Sequence, residues 1–176
     1  FDRFFDQWVY HGGVPKLSVD YRWDAKKKQA RLTVSQTQKV SDRVLLFQFP
    51  LPVRFHLENG VEDFEVEISK TKEEFYFELE TEPTAVRIDP EYTVLADLSV
   101  KLPNPLVEAQ TALEGDMLGR FFGAKMLGKR KDKKALELLG ERLKSDPFFG
   151  VRLQAADEIA KLGTPEALTM LSLIHI

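Results

Sequence analysis

The first residues of the chain place hydrophobic side chains at helical spacing. Four aromatic residues occupy positions i, i+3, i+4 and i+7 of one stripe: Phe1, Phe4, Phe5 and Trp8. Gly12, Gly13 and Pro15 then end the pattern, because glycine stops a helix and proline prevents its resumption. A helix of about ten residues is marginally stable alone in water. We therefore assign residues 1–14 to the terminal helix of a domain that precedes this chain, and we expect the stripe to pack against that domain.

From Lys16 onward the hydrophobic period is 2, the period of a half-buried β-strand. The first run has Leu17, Val19, Tyr21 and Trp23 on its apolar face. Six further runs follow: ARLTVSQTQ, LLFQFPLPVRFHL, VEDFEVEIS, EFYFELE, AVRID and TVLADL. The stretch Glu58–Gly60 is a hairpin-turn signal. Short strands at this regular spacing predict an antiparallel, Ig-like β-sandwich over residues 15–100.

The remainder of the chain has helical periodicity and an internal repeat. LPNP, at residues 102–105, predicts a stiff linker. Beyond it, GRFFGAKMLGKRKDKKALELL aligns with VRLQAADEIAKLGTPEALTML at an offset of 32 residues, so that Arg120 matches Arg152 and Ala124 matches Ala156. A helical repeat of this period predicts the start of an α-solenoid over residues 101–176, and the fold class is therefore α+β with more than one domain.

Helix starts within the repeat are marked by capping residues. Asp132, Asp146 and Thr164 are predicted N-caps, and prolines directly follow the last two. Because at least about three repeats are usually needed to bury the helical faces, we expect further repeats beyond these two. The last six residues, LSLIHI at 171–176, continue the repeat poorly and resemble translated sequencing-adapter sequence. We therefore infer nothing from His175.

Composition narrows the possible partners. Of the 176 residues, 43% are hydrophobic and 30% are charged, which is ordinary for a soluble globular protein. A net charge of −3 gives no general attraction to nucleic acid or anionic lipid, and no apolar run approaches the ~20 residues of a membrane span. We therefore expect neither nucleic acid nor membrane as a partner. The absence of Cys excludes disulfides but leaves the compartment undecided, with the cytoplasm favoured.

No residue of the chain is assigned a catalytic, cofactor-binding or metal-ligating role. The three histidines, at 11, 56 and 175, lack metal-ligand spacing. We expect His11 to interact with a helix C-terminus and His56 to lie on the wet face of its strand. Acidic neighbours on strands point to opposite faces and cannot act together as general acid and base: Glu62 with Asp63, and Glu73 with Glu74.

Two features leave alternatives open. Trp8, Tyr21 and Trp23 could form an aromatic platform for sugar binding, but their spacing follows the helix and strand periods and favours packing roles. The run KMLGKRKDKK, residues 125–134, has six basic residues in ten and could bind phosphate. It also spans a predicted turn between helices and has no interleaved aromatic residues for base stacking, which favours a solvated surface.

Three segments together indicate a family. FFDQWVYHGGVPKLSV, LTVSQTQ and VRIDPEYTVLADL, in this order and with these domains, make the chain similar to zinc aminopeptidases of the aminopeptidase N family over residues 1–170. In that family a thermolysin-like catalytic domain precedes a β-sandwich and a helical solenoid. The solenoid here resembles the HEAT repeats of some bacterial members. The resemblance implies that residues 1–14 end the catalytic domain.

The same resemblance implies a non-catalytic role for this segment. The family's His-Glu-x-x-His zinc motif and its Gly-x-Met-Glu-Asn strand do not occur in the sequence, so zinc is expected in the parent enzyme and not here. The implied function is an accessory segment of an enzyme that removes N-terminal residues from peptides. Its partners would be the upstream catalytic domain and, for the parent, the peptide substrate. The alternatives are an inactive HEAT-repeat scaffold and a free-standing adhesion or carbohydrate-binding sandwich.

Overall fold

A computed structural model of the chain describes residues 2–172 and divides into two compact units, Phe1–Pro103 and Asn104–Ile176. In the first unit a short helix α1 (Asp2–Phe5) continues as a π-helical turn (Asp6–Tyr10). Seven strands follow: β1 (Lys16–Asp24), β2 (Gln29–Gln36), β3 (Phe49–Leu57), β4 (Gly60–Ile68), β5 (Lys72–Glu78), β6 (Ala85–Ile88) and β7 (Asp97–Lys101). The second unit consists of helices: α2 (Asn104–Gln110), α3 (Met117–Gly128), α4 (Lys133–Ser145), α5 (Phe149–Leu162) and α6 (Pro165–Ser172).

The strands form two sheets, with the orders β5-β2-β1-β7 and β4-β3-β6. All neighbouring strands are antiparallel except β1 and β7, which pair in parallel from Lys16↔Asp97 to Asp20↔Lys101. The predicted Ig-like sandwich is confirmed, with one parallel pair at an edge. The amide of Asp97 donates to the carbonyl of Pro15 at 2.9 Å and fixes the start of this pair.

The alternating residues of the sequence form the core between the sheets. Along β1 and β2 the apolar face is buried, with Val19 opposite Val34 and Tyr21 opposite Leu32. Burying each aliphatic or aromatic side chain contributes roughly 1.5–3 kcal/mol. Aromatic rings from both sheets meet in the core, with centroid separations of 5.0–5.7 Å: Phe55 and Phe64 from one sheet, and Phe77 from the other.

Before β3 begins, the side chain of a buried glutamine makes the backbone hydrogen bonds that a neighbouring strand would otherwise make. Gln36 donates through Nε2 to the carbonyl of Phe47 at 2.8 Å, and its Oε1 accepts the amide of Phe47 at 3.0 Å. Gln36 is 4% exposed, so these bonds satisfy polar groups that water cannot reach. The predicted strand over LLFQF therefore begins only at Phe49.

Two predicted boundaries are wrong. The run TVLADL was predicted as a strand, but β7 begins only at Asp97. The buried carboxylate of Asp89 accepts the amides of Thr93 and Val94, at 2.8 and 2.9 Å, and holds this segment in a turn. The predicted linker at 102–105 is also shorter, because α2 already begins at Asn104.

The helical unit is a solenoid start in which each helix contacts its neighbours. Helix α3 packs against α4 and α5, and α5 packs against α6. Its core contains fully buried side chains from three helices, among them Leu127, Leu139 and Ile159. Residues 173–176, including His175, and Phe1 lie outside the described residues, so predictions that concern them receive no structural account.

Two of the three predicted helix caps are confirmed. Asp132 accepts the amide of Ala135 at 2.9 Å, and the hydroxyl of Thr164 accepts the amide of Ala167 at 3.2 Å. The prediction for Asp146 is wrong, since α5 begins at Phe149 and Phe148 occupies the cap position. Asp146 is instead buried at the end of α4.

Candidate interaction sites

The N-terminal helical segment is attached to the sandwich through two adjacent side chains. Gln7 donates to the carbonyl of Gln48 at 2.7 Å and accepts the amide of Gln48 at 3.0 Å, as a paired strand residue would. The ring of Trp8 lies 4.9 Å from that of Phe47 and 6.1 Å from that of Phe49. Gln7 is 5% exposed, and as a single polar residue it carries no sequence signal for this role.

The predicted aromatic stripe divides between two faces. Trp8 packs on its own chain, whereas Phe4 and Phe5 remain 55% and 44% exposed. The division follows from the π-helical turn after Phe5, whose wider backbone changes the angle between successive side chains. The prediction that the whole stripe packs against an upstream domain is therefore wrong for Trp8.

An exposed hydrophobic patch remains on this segment. Its four residues, which we call the aromatic patch, are all at least 44% exposed: Phe4, Phe5, Val9 and Tyr10. At the end of the segment, Nδ1 of His11 lies 2.8 Å from the carbonyl oxygen of Asp6 and 3.3 Å from its carboxylate. His11 therefore contacts the helix end as predicted.

The other proposed aromatic and basic sites are dispersed. Tyr21 is 4% exposed in the sandwich core, Trp23 is half-buried at the end of β1, and no ring contact joins them to Trp8 within residues 2–172. In the basic run, Arg130 is held by Asp132 at 2.8 Å and Glu108 at 2.7 Å. The run spans the turn between α3 and α4, as predicted.

The second candidate site is a buried ion pair in the solenoid. Nε of Arg120 lies 2.8 Å from Oδ2 of Asp146, and Nη2 lies 3.3 Å from Oδ1. Both side chains are almost fully buried, and the guanidinium of Arg142 approaches the same carboxylate at 3.7 Å. Beside this pair lies a cavity of about 550 Å³, lined by Ala112, Leu113, Glu114, Gly115, Met117, Arg120, Arg142 and Pro147.

The local environment keeps Asp146 ionised. Burial opposes its charge, but hydrogen bonds from Arg120 and from the amide of Phe148 outweigh burial and lower the pKa of Asp146 below its usual range. In a buried pair of this kind each charge depends on the other for compensation. The arrangement therefore connects α3 to the turn between α4 and α5.

The histidines and neighbouring acidic residues considered in the sequence analysis lie in separate places. Within residues 2–172, no group of three or more His, Cys, Asp or Glu side chains could hold a metal ion. The residues present therefore do not fit the zinc of the aminopeptidase family. His56 shares with Arg54 the face of β3 opposite the buried Val53 and Phe55, which is the face predicted for it, and it is half-buried there. Glu73 accepts the amides of Ser69 and Lys70.

Comparisons with known proteins agree with this architecture. Residues 104–173 match the family model described as HEAT repeats. Among solved structures, the chain is similar to an aminopeptidase A from Legionella pneumophila crystallised in complex with aspartic acid, with a TM-score of 0.63 and 16% identity. The match covers 89% of this chain but only 19% of the other, so it establishes a shared fold for one segment. A comparison with curated proteins found no match.

None of the helices within the described range is long and apolar enough to cross a membrane.

Proposed function

We propose that this segment is a non-catalytic accessory part of a zinc metallo-aminopeptidase. The observation that supports this best is the fold similarity to an aminopeptidase over 89% of the chain. The parent would remove N-terminal residues from peptides, using zinc and catalytic residues in an upstream domain. In the family that the sequence resembles, the zinc ligands belong to a His-Glu-x-x-His motif, which this sequence does not contain.

The aromatic patch supports an upstream domain as the first partner. Gln7 and Trp8 hold the segment on the sandwich, whereas Phe5, Val9 and Tyr10 remain exposed. Contiguous exposed apolar surface of this kind is typical of an interaction site. Burial of the patch against the catalytic domain would remove these side chains from water and fix the sandwich to it.

The role of the segment is then mechanical. The sandwich supports the catalytic domain, and the solenoid forms the start of a wall that restricts access to the active site. Peptide is a partner of the parent enzyme, and we propose neither nucleic acid nor membrane as a partner. Arg130, the arginine of the basic run, is already paired with Asp132 and Glu108, which leaves it less available to phosphate.

The second candidate function is an inactive scaffold that binds other proteins. The HEAT-repeat match over residues 104–173 favours it, because solenoids of stacked helices commonly present extended binding surfaces. The two candidate functions require different motifs in the upstream coding sequence. The enzyme requires His-Glu-x-x-His followed by a further Glu ligand, whereas the scaffold requires neither.

Hydrogen exchange tests the proposed docking of the aromatic patch. The amides of residues 2–10 should exchange more slowly in a longer protein that includes the proposed upstream domain than in the 176-residue chain. Val9→Ser should reduce this protection. Val61→Ser is the matched control, because Val61 is 51% exposed and Val9 is 57% exposed. Equal exchange in the two proteins would contradict the docking.

A further inference from the structure

The guanidinium of Arg142 is largely buried, and within residues 2–172 it has no hydrogen-bond acceptor. Arg142 lies in the last turn of α4, and its side chain is 21% exposed. Its Nη1 approaches Oδ2 of Asp146 at 3.7 Å, which is longer than a hydrogen bond. Because a guanidinium carries five N–H donors and keeps its charge, Arg142 retains donors for a further acceptor.

The carboxylate of Asp146 is already engaged by other donors. Arg120 donates to both of its oxygens, at 2.8 and 3.3 Å, and the amide of Phe148 donates to Oδ1 at 3.0 Å. Arg120 gives its remaining edge to the carbonyl of Leu113 at 2.9 Å. Arg120 and Asp146 therefore compensate each other, whereas the charge of Arg142 has only the longer contact.

Arg142 lines the cavity of about 550 Å³ beside this pair. The walls include apolar side chains from the turn before α3, from the start of α3 and from the turn after α4: Leu113, Met117 and Pro147. A cavity of this volume lies in the range of sites that bind small organic molecules. Such sites combine apolar walls with a few polar groups that orient the ligand, and Arg142 is a polar group of this kind.

The charges around the cavity favour a ligand with a single negative charge. Arg120 and Arg142 are positive, and they are balanced in number by Asp146 and by Glu114, which also lines the cavity. A phosphate brings a charge of about −1.5 to −2 and would meet both acids. A carboxylate brings one charge, and its two oxygens match the parallel N–H donors of a guanidinium.

We propose that this cavity is a binding site for a small monocarboxylate with an apolar body. The carboxylate accepts hydrogen bonds from the guanidinium of Arg142, and the apolar body lies against Leu113, Met117 and Pro147. Removal of these apolar groups from water favours binding, while Arg142 fixes the orientation of the ligand. The site goes beyond the proposed aminopeptidase role, because every residue that forms it belongs to the helical unit.

Titration of the 176-residue chain with octanoate tests the site. Octanoate should bind with a Kd of about 1 mM or below and should shift the Nε–Hε signal of Arg142 in a proton–nitrogen correlation spectrum. Octanol has no charge to pair with Arg142, and octyl phosphate carries nearly two charges. Each should bind at least about fivefold more weakly than octanoate.

Three variants separate the parts of the site. Arg142→Gln should weaken octanoate binding about tenfold, because a charge-assisted hydrogen bond is lost. Lys144→Gln is the matched control, since Lys144 is an exposed cation of the same helical turn and does not line the cavity. Ala112→Phe changes an exposed residue of the cavity wall and should also weaken binding, because the ring would fill the space.

Several results would overturn the proposal. These are no binding of octanoate, octanoate binding that both Arg142→Gln and Ala112→Phe leave unchanged, and octanol binding as tight as that of octanoate. Tighter binding of octyl phosphate would also overturn it, because the cavity would then be a phosphate site.

Discussion

Arg120 and Asp146 form a bidentate ion pair in the solenoid although 26 residues separate them, with Nε 2.8 Å from Oδ2. Asp146 also accepts the amide of Phe148 at 3.0 Å, so one buried carboxylate binds α3 and the start of α5. Its neighbour Arg142 adds a longer contact at 3.7 Å. The pair therefore joins α3 to the turn between α4 and α5 through one buried carboxylate.

Removal of this carboxylate should be costly. Asp146→Ala leaves the buried guanidinium of Arg120 without its counterion and should lower the free energy of unfolding by about 3 kcal/mol. Asp157→Ala is the matched control, since Asp157 forms only an exposed pair with Lys161. Urea unfolding followed by circular dichroism measures both changes. An equal effect of the two substitutions would contradict the account of the buried pair.

The same pair should make stability depend on pH in the acid range. The pKa of Asp146 is lower in the folded state than the value of about 3.9 for an unfolded chain. The stabilisation is therefore fully present above the unfolded pKa and is lost as the pH falls through the folded pKa. The difference in free energy of unfolding between the wild-type chain and Asp146→Ala should narrow as the pH falls below about 4. A difference in free energy of unfolding that stays constant as the pH falls below about 4 would contradict this prediction.

The sandwich contains a buried polar group whose removal should stabilise the folded state. The hydroxyl of Tyr21 is buried and has no hydrogen-bond partner within residues 2–172, and burial raises the pKa of Tyr21 well above its usual range. Tyr21→Phe should raise the free energy of unfolding by about 1 kcal/mol, because an unsatisfied buried group is deleted. Tyr76→Phe is the control, because the hydroxyl of Tyr76 donates to Glu74 at 2.6 Å on the surface. Destabilisation by Tyr21→Phe would show that the hydroxyl has a partner.

Two helical glycines should respond differently to alanine. Replacement by Ala favours a helix by about 1 kcal/mol where space allows. At Gly140 the new methyl would meet only the flexible end of Met170, so Gly140→Ala should leave stability unchanged or increase it. At Gly123 it would lie 2.7 Å from Thr111 Cγ2 and 3.2 Å from the Thr111 backbone nitrogen, so Gly123→Ala should be destabilising. Thermal unfolding of both variants checks this order, and the reverse order would contradict the packing described.

Much of the architecture was predictable because it depends on local patterns. The alternation of Leu17, Val19 and Tyr21 predicted β1 and its buried face, and the offset between Arg120 and Arg152 predicted the repeat. Capping by Asp132 followed from its place before a helical run. In each case a regular pattern in the sequence determines the outcome.

Two failed predictions involve contacts between residues that are distant in sequence. Asp146 has the sequence context of a helix cap, but Arg120 binds it across 26 residues. Trp8 fits a regular helical stripe, but the π-helical turn and the contact with Phe47 direct it to the sandwich. A third failure is local: the buried Asp89 accepts the nearby amides of Thr93 and Val94 and converts a strand-like run into a turn.

The central proposal is that this chain is an accessory part of an aminopeptidase whose catalytic residues lie in an upstream domain. The most direct measurement is release of N-terminal residues from peptides by two purified proteins, the 176-residue chain and the longer product of its reading frame. The account predicts zinc-dependent release by the longer protein, lost with a chelator, and none above background by the chain alone. Hydrolysis by the chain alone, or no hydrolysis by the zinc-loaded longer protein, would contradict it.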